Sequence, residues 1–226
     1  MCSRYSLTSP PEAVRATFAA STAMAFPPRY NIAPTQPVTI VRIGHTGERE
    51  LGLVRWGLLP SWSKDPAKLS MLINARSETA AEKPSFRGAM RHRRCLVPAD
   101  AYYEWSGTPG ARRAWLIRPR PAGLMALAGL WEDWLGADGS EIETMAILTV
   151  PACRSLASVH ERMPAVLPAA LFEAWLDHRA VMAEAAVQML APLPDGGLEA
   201  IEIGPAINDW RNDGPELQLP LRATLI

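Results

Sequence analysis

The chain has 226 residues, 48% of them hydrophobic, and its 23 basic and 23 acidic side chains cancel to a net charge of zero. That is enough apolar material for one large domain or two small ones. The balanced charge excludes an overall field drawing the protein to nucleic acid or an anionic membrane, so a polyanion would have to meet a local basic face.

The first helix is predicted over Ser9–Ala20, with Ser9 as its cap, Pro10 and Pro11 in its first turn, and Val14, Thr17 and Phe18 on one face. Residues Pro27 to Pro34 are too rich in proline for a helix or a central strand and predict an ordered loop. Strand-like runs follow at Val38–Ile43 and Glu50–Trp56, across a turn at His45–Gly47. Further runs lie at Leu69–Ile73, Cys95–Val97, Ala101–Trp105, Ala114–Ile117, Met125–Trp131 and Ile142–Val150. Pro168 opens a late helix over Ala169–Asp177, where Leu171, Trp175 and Leu176 keep helical spacing, and a second runs over Ala180–Leu190. Short strands between turns, with no repeat and no linker, predict one α+β domain over residues 1–226. Its core would be a curved, mainly antiparallel sheet, barrel-like, with flanking helices.

Cys2, Cys95 and Cys153 lie far apart, with no C-x-x-C pair. That pattern argues against a disulfide scaffold or a zinc site. No apolar run reaches the ~18 residues of a membrane span, and the N-terminus lacks an apolar signal core. A soluble protein of a reducing cytoplasm is the expectation.

Cys2 carries the most distinctive chemistry. Removal of Met1, which a small second residue favours, leaves an amine and a thiol on adjacent carbons. Such a 1,2-aminothiol condenses with an aldehyde through its amine, and the thiol then closes a five-membered thiazolidine. In free form the amine titrates at about 7.7–8.0 and the thiol at about 8.5, so reactive fractions exist at cellular pH. The plain alternative is a cysteine that merely fills a short N-terminal strand.

Other candidates each have two readings. Arg76, Lys83, Arg87, Arg91, Arg93 and Arg94, against Glu78 and Glu82, give residues 76–94 a net charge of +4. That is a concentration suited to phosphate, or else a solvated surface of ion pairs. Trp56 and Trp62 flank a turn-like stretch and would either stack on unpaired bases or pack in the core. Glu104, among Tyr102, Tyr103 and Trp105, is an acid/base if the rings desolvate it, and otherwise a strand carboxylate facing water. His160 exchanges protons at cellular pH, or is structural; Asn74, at the end of an apolar strand, would orient a hydroxyl or cap a turn.

Together these residues form a pattern. Met1-Cys2-Ser3-Arg4-Tyr5, Arg29-Tyr30-Asn31-Ile32-Ala33-Pro34-Thr35, Trp56-Gly57-Leu58-Leu59-Pro60-Ser61-Trp62 and Ile73-Asn74-Ala75-Arg76-Ser77-Glu78-Thr79 resemble the signatures of the SRAP family of abasic-site processing proteins. So do Arg94 to Trp105 and His160-Glu161-Arg162-Met163-Pro164, in the same order, and Asn212 to Leu217 is similar to the family's tail.

The resemblance implies a sensor of abasic sites in single-stranded DNA, which Cys2 would capture as a thiazolidine cross-link shielding the lesion. Glu104 matches the acid/base that helps the sugar ring open, and His160 the residue assisting proton transfer and slow reversal. Asn74 matches the residue holding the nucleophile and the opened sugar. Arg4, Arg76 and Arg162 fall where family members grip the DNA backbone, with Thr149 placed among the DNA-binding residues. Pro34 and Trp62 fall in loops supporting a bent strand. The family is also credited with β-elimination at abasic sites and with autoproteolytic loss of Met1. No cofactor, metal or membrane is implied. The expected protein is a monomer acting in the cytoplasm, at the nucleoid in a bacterium. One departure is Ser3, where the family reads glycine, whose freedom at positive φ serine lacks. Two other readings stand beside this one: a cysteine peptidase pairing Cys2 with His160, and a non-covalent reader of modified bases.

Overall fold

Strands dominate the computed structural model, which describes residues 2–64, 69–108 and 110–221. In chain order they are β1 (Arg4–Leu7), β2 (Arg29–Ile32), β3 (Pro37–Ile43), β4 (Arg49–Trp56), β5 (Asn74–Arg76), β6 (Arg94–Ala99), β7 (Ala101–Ser106) and β8 (Arg113–Pro119). Then come β9 (Met125–Leu135), β10 (Glu141–Pro151), β11 (Arg162–Pro164), β12 (Val166–Leu167) and β13 (Leu198–Ile203). Helices are short: α1 (Pro11–Phe18), α2 (Ser77–Ala80), α3 (Arg87–His92), α4 (Phe172–Leu176) and α5 (Ala183–Val187).

The strands β10, β4, β3, β6 and β9 pair in sequence, and β9 pairs back onto β10, so the ring closes into a barrel. Closure leaves these strands no free edge. All ring pairings are antiparallel except β10–β4. The long β10 continues past β4 and takes β5 as a second parallel partner, then β11 as an antiparallel one. A second, antiparallel sheet runs β13-β8-β7-β1-β2. It packs on the barrel through side chains such as Tyr5, whose ring meets Trp56 edge-on at 5.4 Å between centroids. Its other face carries a smaller core of Tyr103, Leu116, Ile203, Ile207 and Leu217 under the C-terminal tail.

Five sequence expectations change. Arg29–Ile32 is a strand, not a loop: Pro27 and Pro28 precede it, and β2 is the edge of its sheet, where the missing proline donors cost nothing. The strand expected at Leu69–Ile73 falls at Asn74–Arg76 instead, with Leu72 making only a single bridge to Leu58. The helix expected over Ala180–Leu190 shrinks to α5. In α1 only Val14 and Phe18, four apart, are buried, and Thr17 faces out. Ser9 does not cap that helix; its hydroxyl donates to Asp100 (2.5 Å), tying the strand end to the β6–β7 turn.

Candidate active site

Alternation along β7 sorts its side chains. Tyr103 and Trp105 belong to the outer core, which puts Tyr102 and Glu104 between the small sheet and the barrel. Cys2, just before β1, belongs to the same inner core and is 0% exposed. Burial first, and then the charge of Glu104, push the Cys2 thiol far up, so it is held as SH. The phenols of Tyr5 and Tyr102 are pushed up as well, by burial and then by Cys2. Glu104 itself is 4% exposed.

From the barrel side, Asn74 donates its Nδ2 to the Cys2 carbonyl at 2.7 Å. Its Oδ1 is buried and has no protein donor, as are the hydroxyls of Tyr5 and Tyr102. Asn74 and Arg76 share one face of β5, and Arg76 reaches solvent. Thr149 pairs with Arg76 across β10 but is 0% exposed, and its hydroxyl accepts from Arg162 at 3.2 Å. Arg162 also grips Glu78 with both terminal nitrogens, at 2.9 Å through Nη2, which lowers that carboxyl to about 2. The Arg162 N–H donates to His160 Nδ1 at 2.9 Å, so a neutral ring carries its proton on Nε2. β5 thus links two sets of residues. Asn74 at its start holds Cys2, whose inner core also takes Tyr102. Arg76 at its end pairs with Thr149 of β10, which accepts from Arg162 of β11, with His160 two residues before it.

Arg4 points the other way. Its guanidinium donates to Asn31 Oδ1 (2.9 Å) and to the carbonyls of Ile207 (2.9 Å) and Asn208 (3.2 Å). Pro34 is half-buried in the turn between β2 and β3, beside Thr35 at φ 74. A β-branched residue holds that left-handed conformation only when its surroundings impose it, here through the Thr35 N–H on Trp56 O at 2.7 Å. The two tryptophans divide: Trp56 is core, and Trp62 is 55% exposed with its indole N–H on Pro84 O. The basic segment divides too. Arg94 is buried and donates to four backbone carbonyls, those of Met90, Trp175, Asp177 and Val181. Arg93 pairs with the buried Glu132 at 2.9 Å. Sequence reading missed the phenols, whose only signal was their closeness in sequence to Cys2 and Glu104. It also missed Thr35, a threonine following a proline with no outward mark. Met1 lies outside the described residues.

A family model described as SOS response associated peptidase (SRAP) matches residues 1–210. This chain belongs to the SRAP family. Among its relatives is the abasic site processing protein YoqW of Bacillus subtilis, 35% identical over 192 residues, covering 84% of this chain and 85% of that one. The abasic site processing protein HMCES of Rattus norvegicus is 31% identical over 231 residues, spanning 85% of the SRAP chain and 65% of its own length. Among solved structures, a protein from Bacteroides thetaiotaomicron superposes with a TM-score of 0.84 at 24% identity, over 96% of this chain and 98% of that one. A Bordetella bronchiseptica protein gives 0.78 at 29% identity, over 90% and 100%. The first of these likenesses shows the SRAP fold alone. No helix among the described residues is long and apolar enough to cross a membrane.

Proposed function

We propose that this chain processes abasic sites in single-stranded DNA by covalent capture on Cys2. One observation carries the reading: the second residue of the chain, where termini usually fray, is fully buried and bonded through its carbonyl to Asn74. The SRAP relatives named as abasic site processing proteins support abasic sites as the target.

Removal of Met1 turns the Cys2 nitrogen from an amide into an amine. That amine attacks the aldehyde carbon of the ring-opened abasic sugar, and the carbinolamine loses water to give an imine. The thiol sulfur then adds to the imine carbon while its proton passes to nitrogen. A C–N and a C–S bond form, the C=O oxygen leaves as water, and no redox partner is needed. Sulfur attacks as the thiolate, so the thiol proton must leave it as the C–S bond forms, and the nitrogen receives that proton. Glu104 beside it serves as the acid that expels water and opens the sugar. His160, with Nε2 as the donor, assists proton transfer at the imine and on reversal. Asn74 Oδ1 accepts from a hydroxyl of the opened sugar.

Arg76 grips the backbone phosphates, Trp62 and Pro34 support the bent strand, and Arg4, Thr149 and Arg162 act from behind as the frame of the site. β-Elimination at the lesion and self-removal of Met1 would draw on the same Glu104, His160 and Cys2.

The test is a denaturing gel of protein, its Met1 loss verified by intact mass, incubated with an oligonucleotide carrying one abasic site. A shifted band is expected from single-stranded DNA and none from Cys2→Ala. A band that survives Cys2→Ala, or none from correctly trimmed protein, removes the reading.

A further inference from the structure

The excess positive charge of residues 76–94 does not form one face. Arg94 is buried and Arg93 is paired with Glu132, which leaves Arg87 and Arg91 as exposed cations on α3. They stand four apart on one short helix, where like charges repel by a few tenths of a kcal/mol and contribute nothing to the fold. Between them and the exposed Trp62 lies an open groove lined by Trp62, Pro84, Arg87, Gly88, Arg91 and His92, with no carboxylate among those residues. Trp62 is not loose in this groove. Its indole N–H is anchored on Pro84 O at 3.1 Å, and its loop is fixed by Trp134 Nε1 on Ser63 O (2.7 Å) and Leu59 N on Thr144 Oγ1 (2.9 Å). An anchored, exposed ring beside two arginines with no carboxylate partner among the described residues offers the two contacts that a single strand takes without regard to sequence, a base stacked on an aromatic face and phosphates on cations.

We propose that the groove between Trp62 and α3 is a second subsite, which binds undamaged single-stranded DNA continuing beyond the lesion, with a base on Trp62 and consecutive phosphates on Arg87 and Arg91. The choice of DNA as occupant rests on the function proposed above. The path is continuous along the chain, since Arg76 leads into α2 and from there to Pro84 at the groove's lip.

The experiment compares wild type with Arg87→Gln/Arg91→Gln in two assays. The first is fluorescence anisotropy on undamaged oligothymidylates of increasing length, across a salt series. The second is the cross-linking rate on a short abasic oligonucleotide with a single neighbour on each side. Each phosphate contact to a single strand contributes about 0.7 to the slope of log affinity against log salt, so the double variant should lower that slope by about 1.4 on long strands. Cross-linking of the short oligonucleotide should be unchanged, and Trp62→Ala should weaken binding to the long strands without altering their salt slope. A wild-type salt slope in the double variant overturns the subsite. So does a loss that is equal on the shortest and longest strands, because it would place the arginines at the lesion itself. Absence of any cross-link in wild type would sink the capture chemistry but leave the anisotropy result to judge the groove.

Discussion

Glu104 and the Cys2 thiol share one desolvated space, and the carboxylate acts on the thiol strongly enough to rank second only to burial. Replacing Glu104 by Gln keeps the shape and removes a group able to give and take a proton, so cross-linking should slow by at least ~10-fold while the denaturation midpoint stays close to wild type. An unchanged single-turnover rate would take the acid/base role away from this residue. Much at this scale was legible in the sequence. Cys2, Asn74, Glu104 and His160 are residue types whose chemistry speaks for itself, and each stood in a distinctive run. What could not be read was whether a cation is available. Arg76, Arg87, Arg94 and Arg162 look alike in a sequence, yet Arg94 is wholly internal, lowered to about 10 by burial, and Arg162 is held by Glu78. Only tertiary partners distinguish them, because a guanidinium serves carbonyl, carboxylate and phosphate equally well.

Among the elements, the C-terminal tail sets the position of β1. Asn31, buried in β2, donates its Nδ2 to the carbonyls of Ile207 (3.2 Å), Asp209 (3.0 Å) and Asn212 (2.9 Å), and its Oδ1 takes Arg4. Asp213 in turn accepts from the Asn31 N–H at 2.9 Å, and Gln218 donates to Ser6 and Tyr103, both at 3.0 Å. Asn31→Ala leaves the carbonyls of Asp209 and Asn212 without this donor and removes one of the three acceptors of Arg4, so it should cost about 1–3 kcal/mol by urea unfolding and slow cross-linking without abolishing it. Full stability in this variant would show the latch to be incidental. The barrel strands themselves were readable, since β3, β4, β9 and β10 are long apolar runs bounded by turns. Those that escaped notice are held by neighbours rather than by their own pattern. β2 hides behind Pro27 and Pro28, β5 is three residues that exist because β10 outruns β4, and β13 depends on β8.

For the whole molecule, burial has gathered acidic hydrogens that water would readily take. The thiols of Cys2 and Cys95 and the phenols of Tyr5 and Tyr102 are all raised above their ordinary 9.0 and 10.0, in each case chiefly by burial. Folded values above unfolded ones mean a contribution intact below about pH 9 and lost as pH rises, because only the unfolded chain can release these protons. The urea midpoint should therefore fall steeply from about pH 9 upward, and less steeply in Cys95→Ala. A midpoint flat across that range would contradict the burial of these groups.

The enclosure of Cys2 also sets a clock. The strands that enclose it, β5 and β7, are made only after some hundred residues of chain have followed, which at ~5–20 residues per second takes several seconds or more. During that interval the Met1–Cys2 bond lies open to any aminopeptidase at the ribosome. Once β7 has paired with β1 and Asn74 has taken the Cys2 carbonyl, the Cys2 backbone is tied into the fold. On the capture chemistry proposed above, a nascent chain that misses the interval keeps an amide at Cys2, so the fraction able to cross-link would be set by a race between trimming and folding.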